Sequence, residues 1–430
     1  MMMQSVYDWT LYHLPEGIDP EGHIIATYLV EKEAEVDILN YAFSIAIEQS
    51  TGTWVPVPEE TPEVRQKHAG KVVGIYEIPN YEFELPTGLQ NRTFVINIAF
   101  PYVNFGTQIP MLLSTVIGNI SMMGRLKLLD LHFPRSFVRE FKGPKFGILG
   151  IRKLLNIPER PLLNNMIKPC TGFPPEVGAK LFYEVAVGGV DIIKDDELLA
   201  DVPFSPLEKR IRLYMEAERR AFEETGERKL YTVNITDRAD KVRDNAKRAI
   251  DAGANALMLN YLTAGISVLR SLAEDPEINV PILAHLDFAG VFYESPVSGV
   301  CSSLVLGKLP RLAGADIIVY PCPYAKFSFL RDRHLQIAQM LRAPFYDLSP
   351  TFPMPGGGIH QGMVPRLVQE LGADCIIGAG GAIHGHPMGP RAGGKAFRQA
   401  ISAVMAGMSL EQAAKEQPEL QAALNMWGIP

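Results

Sequence analysis

The chain is poor in cysteine, and its few cysteines are not spaced for cross-linking or for zinc. Only four occur in 430 residues, at Cys170, Cys301, Cys322 and Cys375. No two of them form a CxxC pair, which is the spacing that zinc sites and thiol redox motifs most often use. A disulfide framework and a structural zinc site are therefore not expected.

Long apolar runs and basic blocks are also missing. No run reaches the roughly 18 residues of a membrane-spanning helix, and Met1 to Ser5 lack the basic region and apolar core of a signal peptide. Lys and Arg number 41 against 48 Asp and Glu, a net charge of −7, with no cluster of positive charge. We therefore expect a cytoplasmic protein that binds neither nucleic acid nor membranes.

What the chain does contain is typical of a globular enzyme with two domains. Hydrophobic residues make up 47% and charged residues 21% of the 430 positions, and no linker rich in Pro, Gly or Ser separates the parts. The first part, residues 1–145, alternates strands with helices and predicts a small α+β, ferredoxin-like domain with helices on one face of its sheet. Its predicted elements are strands His23–Val30, Lys71–Glu77, Thr93–Phe100 and Leu126–Leu131, with helices Ala34–Ser50 and Pro110–Ile120.

The second part, residues 146–430, repeats a short apolar strand roughly every 20–35 residues, with helix-length segments between. Eight such strands are the number in a (β/α)₈ TIM barrel, here with a C-terminal helical tail. The predicted strands are Pro161–Lys168, Val190–Lys194, Leu230–Ile235, Ala256–Asn260, Pro281–His285, Asp316–Tyr320, Phe345–Leu348 and Cys375–Ile377.

The second predicted barrel strand runs directly into Lys194-Asp195-Asp196-Glu197. In a strand, Lys194 and Asp196 lie on the same side, and the carboxyl ends of barrel strands carry the active sites of this fold. A lysine carbamate formed with CO₂ would join Asp196 and Glu197 as a third oxygen ligand for Mg²⁺. The spacing fits equally well a solvated acidic turn that one lysine neutralises.

Polar residues and glycines follow several of the other predicted strands. Lys168 and His285 end the first and fifth strands, and Lys326 follows the sixth. Gly357-Gly358 and Gly380-Gly381 follow the seventh and eighth strands, where the backbone N–H groups of glycine turns bind phosphate in this fold. These residues are the candidates for a site at the carboxyl end of the barrel.

Several of these segments together resemble the large chain of ribulose bisphosphate carboxylase (RuBisCO). The resemblance rests on residues 189–197 and on shorter matches at Ser50–Trp54, at residues 160–169, at Gly357-Gly358-Ile359-His360 and at residues 380–387. It extends from about residue 24 to the C-terminus. It implies an N-terminal α+β domain followed by a TIM barrel.

The resemblance also implies roles for the candidate residues. Carbamylated Lys194 would bind Mg²⁺ with Asp196 and Glu197, and Lys168 and His285 would transfer protons. Family members act as homodimers in which the small domain of one subunit completes the barrel site of its partner, here through Glu48, Thr53, Trp54 and Asn119. The residues implied to bind one phosphate are Thr53, Trp54, Gly357, Gly358, Gly380 and Gly381.

Three departures argue against ribulose bisphosphate as the substrate. Carboxylases bind a second phosphate through an arginine, a histidine and a serine, where this chain has Leu286, Val319 and Gly356. A phosphate buried there would lose its hydrogen-bond donors, at a cost of several kcal/mol. The chain is therefore expected to be a form IV, RuBisCO-like protein whose substrate carries one phosphate.

Two reactions suit such a protein. Glu48, Asn119 and Lys326 match the carboxylase residues that surround the carboxylate gained from CO₂, which favours a decarboxylase of sugar-acid catabolism acting on a substrate such as 3-oxo-isoapionate 4-phosphate. The alternative is methionine salvage, as an enolase of 2,3-diketo-5-methylthiopentyl 1-phosphate or an isomerase of methylthioribulose 1-phosphate. Some of those enolases carry lysines where this chain has Asn97 and Asn119. A non-catalytic binding protein is disfavoured because the candidate metal and proton-transfer residues are all present.

Overall fold

The computed structural model describes residues 7–52, 55, 57–327 and 329–430. It divides the chain into two compact units. The first comprises Met1–Phe141 with Ala289–Val305, and the second comprises Lys142–Phe288 with Leu306–Pro430. No helix in the described part of the chain is long and apolar enough to cross a membrane.

The first unit is built on a five-stranded sheet with the strand order β10-β4-β1-β3-β2. Its strands are β1 (His23–Glu33), β2 (Lys71–Glu77), β3 (Asn91–Pro101), β4 (Leu126–His132) and β10 (Gly299–Val300). Its helices are α1 (Ile38–Glu48), α2 (Pro62–His68), α3 (Ile109–Ile117), α4 (Arg135–Val138) and α11 (Gly290–Tyr293). The antiparallel order of β4, β1, β3 and β2 confirms the predicted α+β domain.

Side chains along β1 alternate between buried and partly exposed, so one face of this sheet packs in the core of the first unit. Ile24, Ala26, Tyr28 and Val30 are fully buried, whereas the residues between them are partly exposed, because successive side chains of a strand point to opposite faces. The Tyr28 hydroxyl donates to the backbone oxygen of Val116 at 2.6 Å. That hydrogen bond ties the end of α3 to the sheet.

Residues 289–305 belong to the first unit, although the sequence places them inside the barrel part, residues 146–430. Their strand β10 pairs in parallel with β4, Gly299 opposite Lys127. The Lys127 ammonium also donates to the Tyr293 backbone oxygen at 3.0 Å. A pairing between segments so far apart in the chain leaves no local sequence signal.

The second unit is an eight-stranded parallel barrel, as predicted, with the order β12-β11-β9-β8-β7-β6-β5-β13. Its strands are β5 (Leu162–Met166), β6 (Ile192–Lys194), β7 (Leu230–Asn234), β8 (Ala256–Leu259), β9 (Ile282–Ala284), β11 (Ile317–Pro321), β12 (Phe352–Gly356) and β13 (Ile376–Ala379). A Cβ added at Gly378 in β13 would lie 2.8 Å from the Pro355 oxygen in β12, so the two end strands are neighbours.

Most helices of this unit follow the barrel strands and form its outer layer. The first helix, Gly147–Leu155, instead precedes the first strand and packs Ile148, Ile151 and Leu155 against the interior apolar cluster. The helices of this unit are α5 (Gly147–Leu155), α6 (Pro175–Val187), α7 (Leu207–Thr225), α8 (Ala239–Asp251), α9 (Tyr261–Ala264), α10 (Ile266–Glu274), α12 (Leu309–Leu312), α13 (Arg331–Arg342), α14 (Val364–Leu371), α15 (Gly381–His384), α16 (Pro390–Met405), α17 (Leu410–Ala414) and α18 (Pro418–Trp427). The last two form the predicted C-terminal tail. Alternate residues of every strand fill the barrel interior, among them Ile192, Leu230 and Leu283 in one apolar cluster.

The seventh barrel strand is not where the sequence predicts it. Phe345–Leu348 lies in a turn with Tyr346 at φ +49, and the strand is Phe352–Gly356, which contains Pro353 and Pro355. The Phe352 N–H donates to the backbone oxygen of Asp316, the residue directly before β11, so this N–H faces β11. The alternating prolines, which have no N–H, therefore lie on the side of β12 that faces β13.

Candidate active site

Lys194 is the last residue of β6 and is completely buried. Its side chain points into the barrel because it lies two residues after the interior Ile192. The Lys194 ammonium donates to Glu197 Oε2 and to the Asp195 backbone oxygen, both at 2.8 Å. In the described residues, no group of three His, Cys, Asp or Glu side chains is arranged to hold a metal ion.

The three acidic residues after Lys194 have different surroundings. Asp195 accepts a hydrogen bond from the Tyr231 hydroxyl at 2.7 Å and forms an ion pair with Arg210 at 3.1 Å, with both ion-pair side chains fully buried. Asp196 instead lies next to Lys168, and Glu197 next to Lys194. Asp195 therefore anchors the end of β6, and the other two carboxylates are available for chemistry.

The carboxyl of Glu197 is held in its charged form. Burial alone would raise its pKa, but the charges of Lys194 and His285 outweigh burial and lower the pKa of Glu197 to about 2. The side-chain amides of Asn234 and Asn260 donate to its backbone oxygen at 3.1 and 3.0 Å. The polar ends of β7 and β8 thus fix the backbone of the acidic loop.

Lys168 follows β5 and contacts both Asp196 and Cys170. Its ammonium donates to Asp196 Oδ2 at 2.6 Å and to Cys170 Sγ at 3.0 Å. Burial disfavours the charge, but the hydrogen bonds that Lys168 donates to Asp196 and Cys170, together with the charges of these two groups, outweigh burial and raise the pKa of Lys168. The lysine is therefore a cation while Asp196 is its partner.

His285 follows β9 and lies between two carboxylates. Its Nε2 is 3.3 Å from Glu197 Oε2, and its Nδ1 is 3.2 Å from Asp287 Oδ2. The imidazole is buried, with 4% of its surface exposed. The structure thus brings Lys168, Lys194, Asp196, Glu197 and His285 together at the carboxyl end of the barrel.

The two predicted phosphate turns are adjacent to the candidate lysines. Gly357 and Gly358 have φ values of +95 and +104, which only glycine adopts easily. The Lys326 N–H donates to the Gly357 oxygen at 2.8 Å, so the loop that carries Lys326 lies against this turn. In the other turn, a Cβ added at Gly380 would lie 3.1 Å from Lys168 Cε.

The three positions that replace phosphate donors are apolar in the structure as well. Val319 is buried in the barrel core, and Leu286 packs against the same cluster. A Cβ added at Gly356 would lie 3.2 Å from Met166 Cε and 3.7 Å from Val319 Cγ1. This side of the barrel interior is therefore an apolar wall.

The remaining predicted site residues belong to the first unit. Asn119 Nδ2 donates to Glu48 Oε1 at 3.1 Å, so these two side chains form a pair. Glu48 ends α1, and Asn119 begins a short 3₁₀ turn after α3. The predicted phosphate ligands Thr53 and Trp54 lie outside the described residues.

His384 is a polar residue near the site that sequence reasoning missed. Its Nε2 lies 3.1 Å from Asn165 Oδ1, and burial, together with the charge of Lys168, lowers the pKa of His384 to about 4. The only sequence signal is its position three residues after the Gly380-Gly381 turn. The short helix α15 brings it back to β5, and periodicity alone does not show such a contact.

Two family models cover most of the chain. Residues 15–137 match the N-terminal domain of the ribulose bisphosphate carboxylase large chain, and residues 147–427 match its catalytic domain.

Several relatives align with nearly the whole length of this chain. A ribulose bisphosphate carboxylase-like protein of Archaeoglobus fulgidus is 57% identical over 95% of this chain and 93% of its own. A 2,3-diketo-5-methylthiopentyl-1-phosphate enolase of Geobacillus thermodenitrificans is 42% identical over 94% of this chain and 98% of its own. The solved structure of a rubisco-like protein from Alicyclobacillus acidocaldarius superimposes with a TM-score of 0.88 at 39% identity, covering 95% of this chain and all of that one.

The family matches and the apolar wall of Leu286, Val319 and Gly356 lead to the same conclusion. The chain belongs to the ribulose bisphosphate carboxylase large-chain family, as a RuBisCO-like enzyme that is not a carboxylase.

Proposed function

We propose that this protein is a Mg²⁺-dependent enolase of 2,3-diketo-5-methylthiopentyl 1-phosphate. The observation that carries the proposal is the cluster of Lys168, Lys194, Asp196, Glu197 and His285 in a barrel whose Leu286 and Val319 positions are apolar. An enolase with this substrate needs one phosphate site, a proton-transfer group and an apolar surface for the methylthio end. The 42% identity to the Geobacillus enolase supports the same assignment.

The residues around Lys194 fit the implied metal. Asp196 and Glu197 supply two carboxylates, and a carbamate on Lys194 would supply the third oxygen ligand of a Mg²⁺ site. The bound metal ion would act as a Lewis acid that stabilises the enolate oxygens of the substrate. Lys194 is buried beside Glu197, so converting its ammonium to a carbamate removes the cation from the place where a metal cation would bind.

Lys168 is the proposed group that removes the proton. In its ion pair with Asp196 it is a cation and cannot accept a proton. When Asp196 serves as a metal ligand, its charge no longer stabilises the Lys168 ammonium, and burial then favours the neutral amine. Lys168 can take the proton from the carbon next to the carbonyl in that state, with His285 as the second proton carrier.

The apolar residues favour a methylthio group over a second charged group. Leu286 and Val319 pack in one apolar cluster. Gly356 has no side chain, and the position that a Cβ would occupy there lies next to Met166 and Val319. Phe288, two residues after Leu286, is 57% exposed and offers a further apolar side chain. A thioether gains from contact with such surfaces, whereas a phosphate would be desolvated there without partners.

A second candidate function is decarboxylation of a 3-oxo sugar-acid phosphate such as 3-oxo-isoapionate 4-phosphate. The Asn119–Glu48 pair favours it, since both residues match the carboxylase pattern. Asn97, where some enolases carry lysine, lies on β3 and its Oδ1 has no hydrogen-bond partner among the described residues. A decarboxylase would use the same Lys168 to protonate the carbon after CO₂ leaves.

We further propose that the active unit is a homodimer. The resemblance implies that Glu48 and Asn119 act on the barrel site of the partner subunit. The hydrogen bond between these two side chains keeps the Asn119 amide and the Glu48 carboxylate next to each other, so the two would act together.

Product analysis separates the candidates. The purified chain is incubated with Mg²⁺ and bicarbonate and given either the diketone phosphate or the sugar-acid phosphate. An enolase changes the ultraviolet absorbance of the diketone without releasing CO₂, and a decarboxylase releases CO₂ from the acid. Lys168→Met is expected to lower kcat by at least about a hundredfold, the usual contribution of a positioned acid or base. Absence of any ultraviolet change with the diketone would overturn the enolase assignment.

A further inference from the structure

Thr232 is a buried threonine on the strand next to Lys194. It lies in β7, where it pairs with Lys194 of β6 on one side and with Ala256 of β8 on the other. Paired residues of parallel strands point to the same face of the sheet, so Thr232 and Lys194 both point into the barrel.

The hydroxyl of Thr232 has no hydrogen-bond partner among the described residues, although its side chain is completely buried. Most buried hydroxyls are paired, because an unpaired one loses its hydrogen bonds with water and gains nothing. A valine would fill the same volume at this position without that cost. An unpaired hydroxyl beside the proposed carbamate lysine therefore suggests a partner that is present only after the lysine is modified.

The hydrogen bonds of Lys194 show which partner that is. To form the carbamate, the neutral amine of Lys194 attacks CO₂: a N–C bond forms, one C=O electron pair moves to oxygen, and the nitrogen releases a proton. The nitrogen keeps one N–H, which can continue to donate to the Asp195 oxygen, now 2.8 Å away. The two new oxygens are acceptors only, and a bound metal ion would use one of them.

Several other donors near Lys194 are already used. Asn234 and Asn260 donate to the Glu197 backbone oxygen, and Lys168 donates to Asp196. Asp196 and Glu197 already accept hydrogen bonds from Lys168 and Lys194. Among the described side-chain donors of β7, the Thr232 hydroxyl is the one without a hydrogen-bond partner, whereas Tyr231 and Asn234 are used.

We propose that Thr232 is a positioning residue that donates its Oγ–H to the carbamate oxygen of Lys194 that does not bind the metal. The inference rests on the proposed function, since it requires the carbamate. It gives Thr232 a role in retaining CO₂ on the lysine and in orienting the carbamate, separate from any contact with substrate.

The test measures the carbamate directly. The full-length protein is equilibrated with Mg²⁺ and ¹³C-labelled bicarbonate at fixed pH, and the ¹³C NMR signal of the carbamate is followed as the bicarbonate concentration rises. Thr232→Val, which keeps the volume and removes the hydroxyl, is expected to need about tenfold more bicarbonate for half-maximal signal, as for loss of one hydrogen bond to a charged group. Thr232→Ser restores the hydroxyl and is expected to lie close to the unmodified protein.

A matched control comes from a second buried threonine. Thr351 is also completely buried, and its hydroxyl donates to the Ala315 oxygen at 2.8 Å. Thr351→Val is expected to lower thermal stability without changing the bicarbonate requirement, whereas Thr232→Val is expected to change the requirement with little loss of stability. Equal carbamate formation in Thr232→Val and the unmodified protein overturns the role of Thr232 alone. No carbamate signal in the unmodified protein overturns the proposed metal site as well.

Discussion

Neighbouring carboxylates of the same chemical type do different work in this protein. Asp195 and Asp196 adjoin in sequence and both are buried, yet one contacts Arg210 and the other contacts Lys168. Successive side chains at the end of β6 point to opposite faces. Asp195 therefore points toward α7, from which Arg210 comes, and Asp196 toward the barrel mouth.

Because of this difference, the same substitution is expected to affect mainly stability at Asp195 and mainly activity at Asp196. Asp195→Asn leaves the Arg210 guanidinium buried without a counter-charge and is expected to lower the free energy of unfolding by about 3–5 kcal/mol. Asp196→Asn removes a proposed metal ligand and is expected to abolish Mg²⁺-dependent activity with a smaller loss of stability. Urea denaturation and Mg²⁺ titration of both variants check the prediction. Equal destabilisation by the two changes would contradict it.

At the scale of single residues, the sequence predicted which side chains form the barrel cluster. Lys194, Asp196 and Glu197 could be predicted as metal ligands because they are close together in the sequence. Strand periodicity and the family motif are both patterns of such neighbouring residues. The contacts of His384 with Asn165 and of Arg210 with Asp195 could not be predicted, because the partners lie far apart in the chain and meet only when the barrel closes.

At the scale of elements, the backbone of the turn after β12 restricts which residues can occupy it. Gly358 has φ +104, and a Cβ added there would lie 2.9 Å from the Lys326 nitrogen. Any side chain at this position is strained and would also push away the loop that carries Lys326.

Gly358→Ala is therefore expected to destabilise the barrel by about 1–3 kcal/mol and to raise KM for the phosphorylated substrate more than it lowers kcat. Steady-state kinetics and thermal denaturation measure the two effects. Gly290→Ala provides the control: nothing lies within 4 Å of an added Cβ there, and its φ is not positive. An unchanged KM in Gly358→Ala would show that this turn does not bind the phosphate.

Strand prediction succeeded where apolar residues are continuous and failed where prolines interrupt them. Seven predicted barrel strands overlap observed strands, but β12 contains Pro353 and Pro355 and reads as a loop by propensity. It forms because the N–H groups between the prolines are the ones that bond to β11. The side on which an N–H is needed depends on the neighbouring strand, which the local sequence does not specify.

At the scale of the whole molecule, the proposed shared site predicts complementation between inactive variants. Glu48→Gln and Lys194→Ala affect different units of the chain, and each is expected to be inactive alone. When the two are co-expressed, mixed dimers contain one intact site, so roughly a quarter of normal activity is expected for random pairing of two chains. Activity no higher than that of either variant alone would contradict a site shared between subunits. Co-expression of Lys168→Met with Lys194→Ala, both in the second unit, is the control and should restore nothing.

The sequence by itself determined the fold class and the family, and it predicted the candidate side chains that meet at the barrel mouth, because strand periodicity, strand spacing and short motifs are properties of neighbouring residues. The tertiary structure alone decided that residues 289–305 join the first unit through β10 and that Asp195 is an anchor. It also decided that the Thr232 hydroxyl, beside Lys194, is buried without a partner in the part of the chain that the structure describes. Each of these depends on pairing between distant segments. Pairing is set by the closure of the barrel and the packing of its interior, which local sequence patterns do not encode.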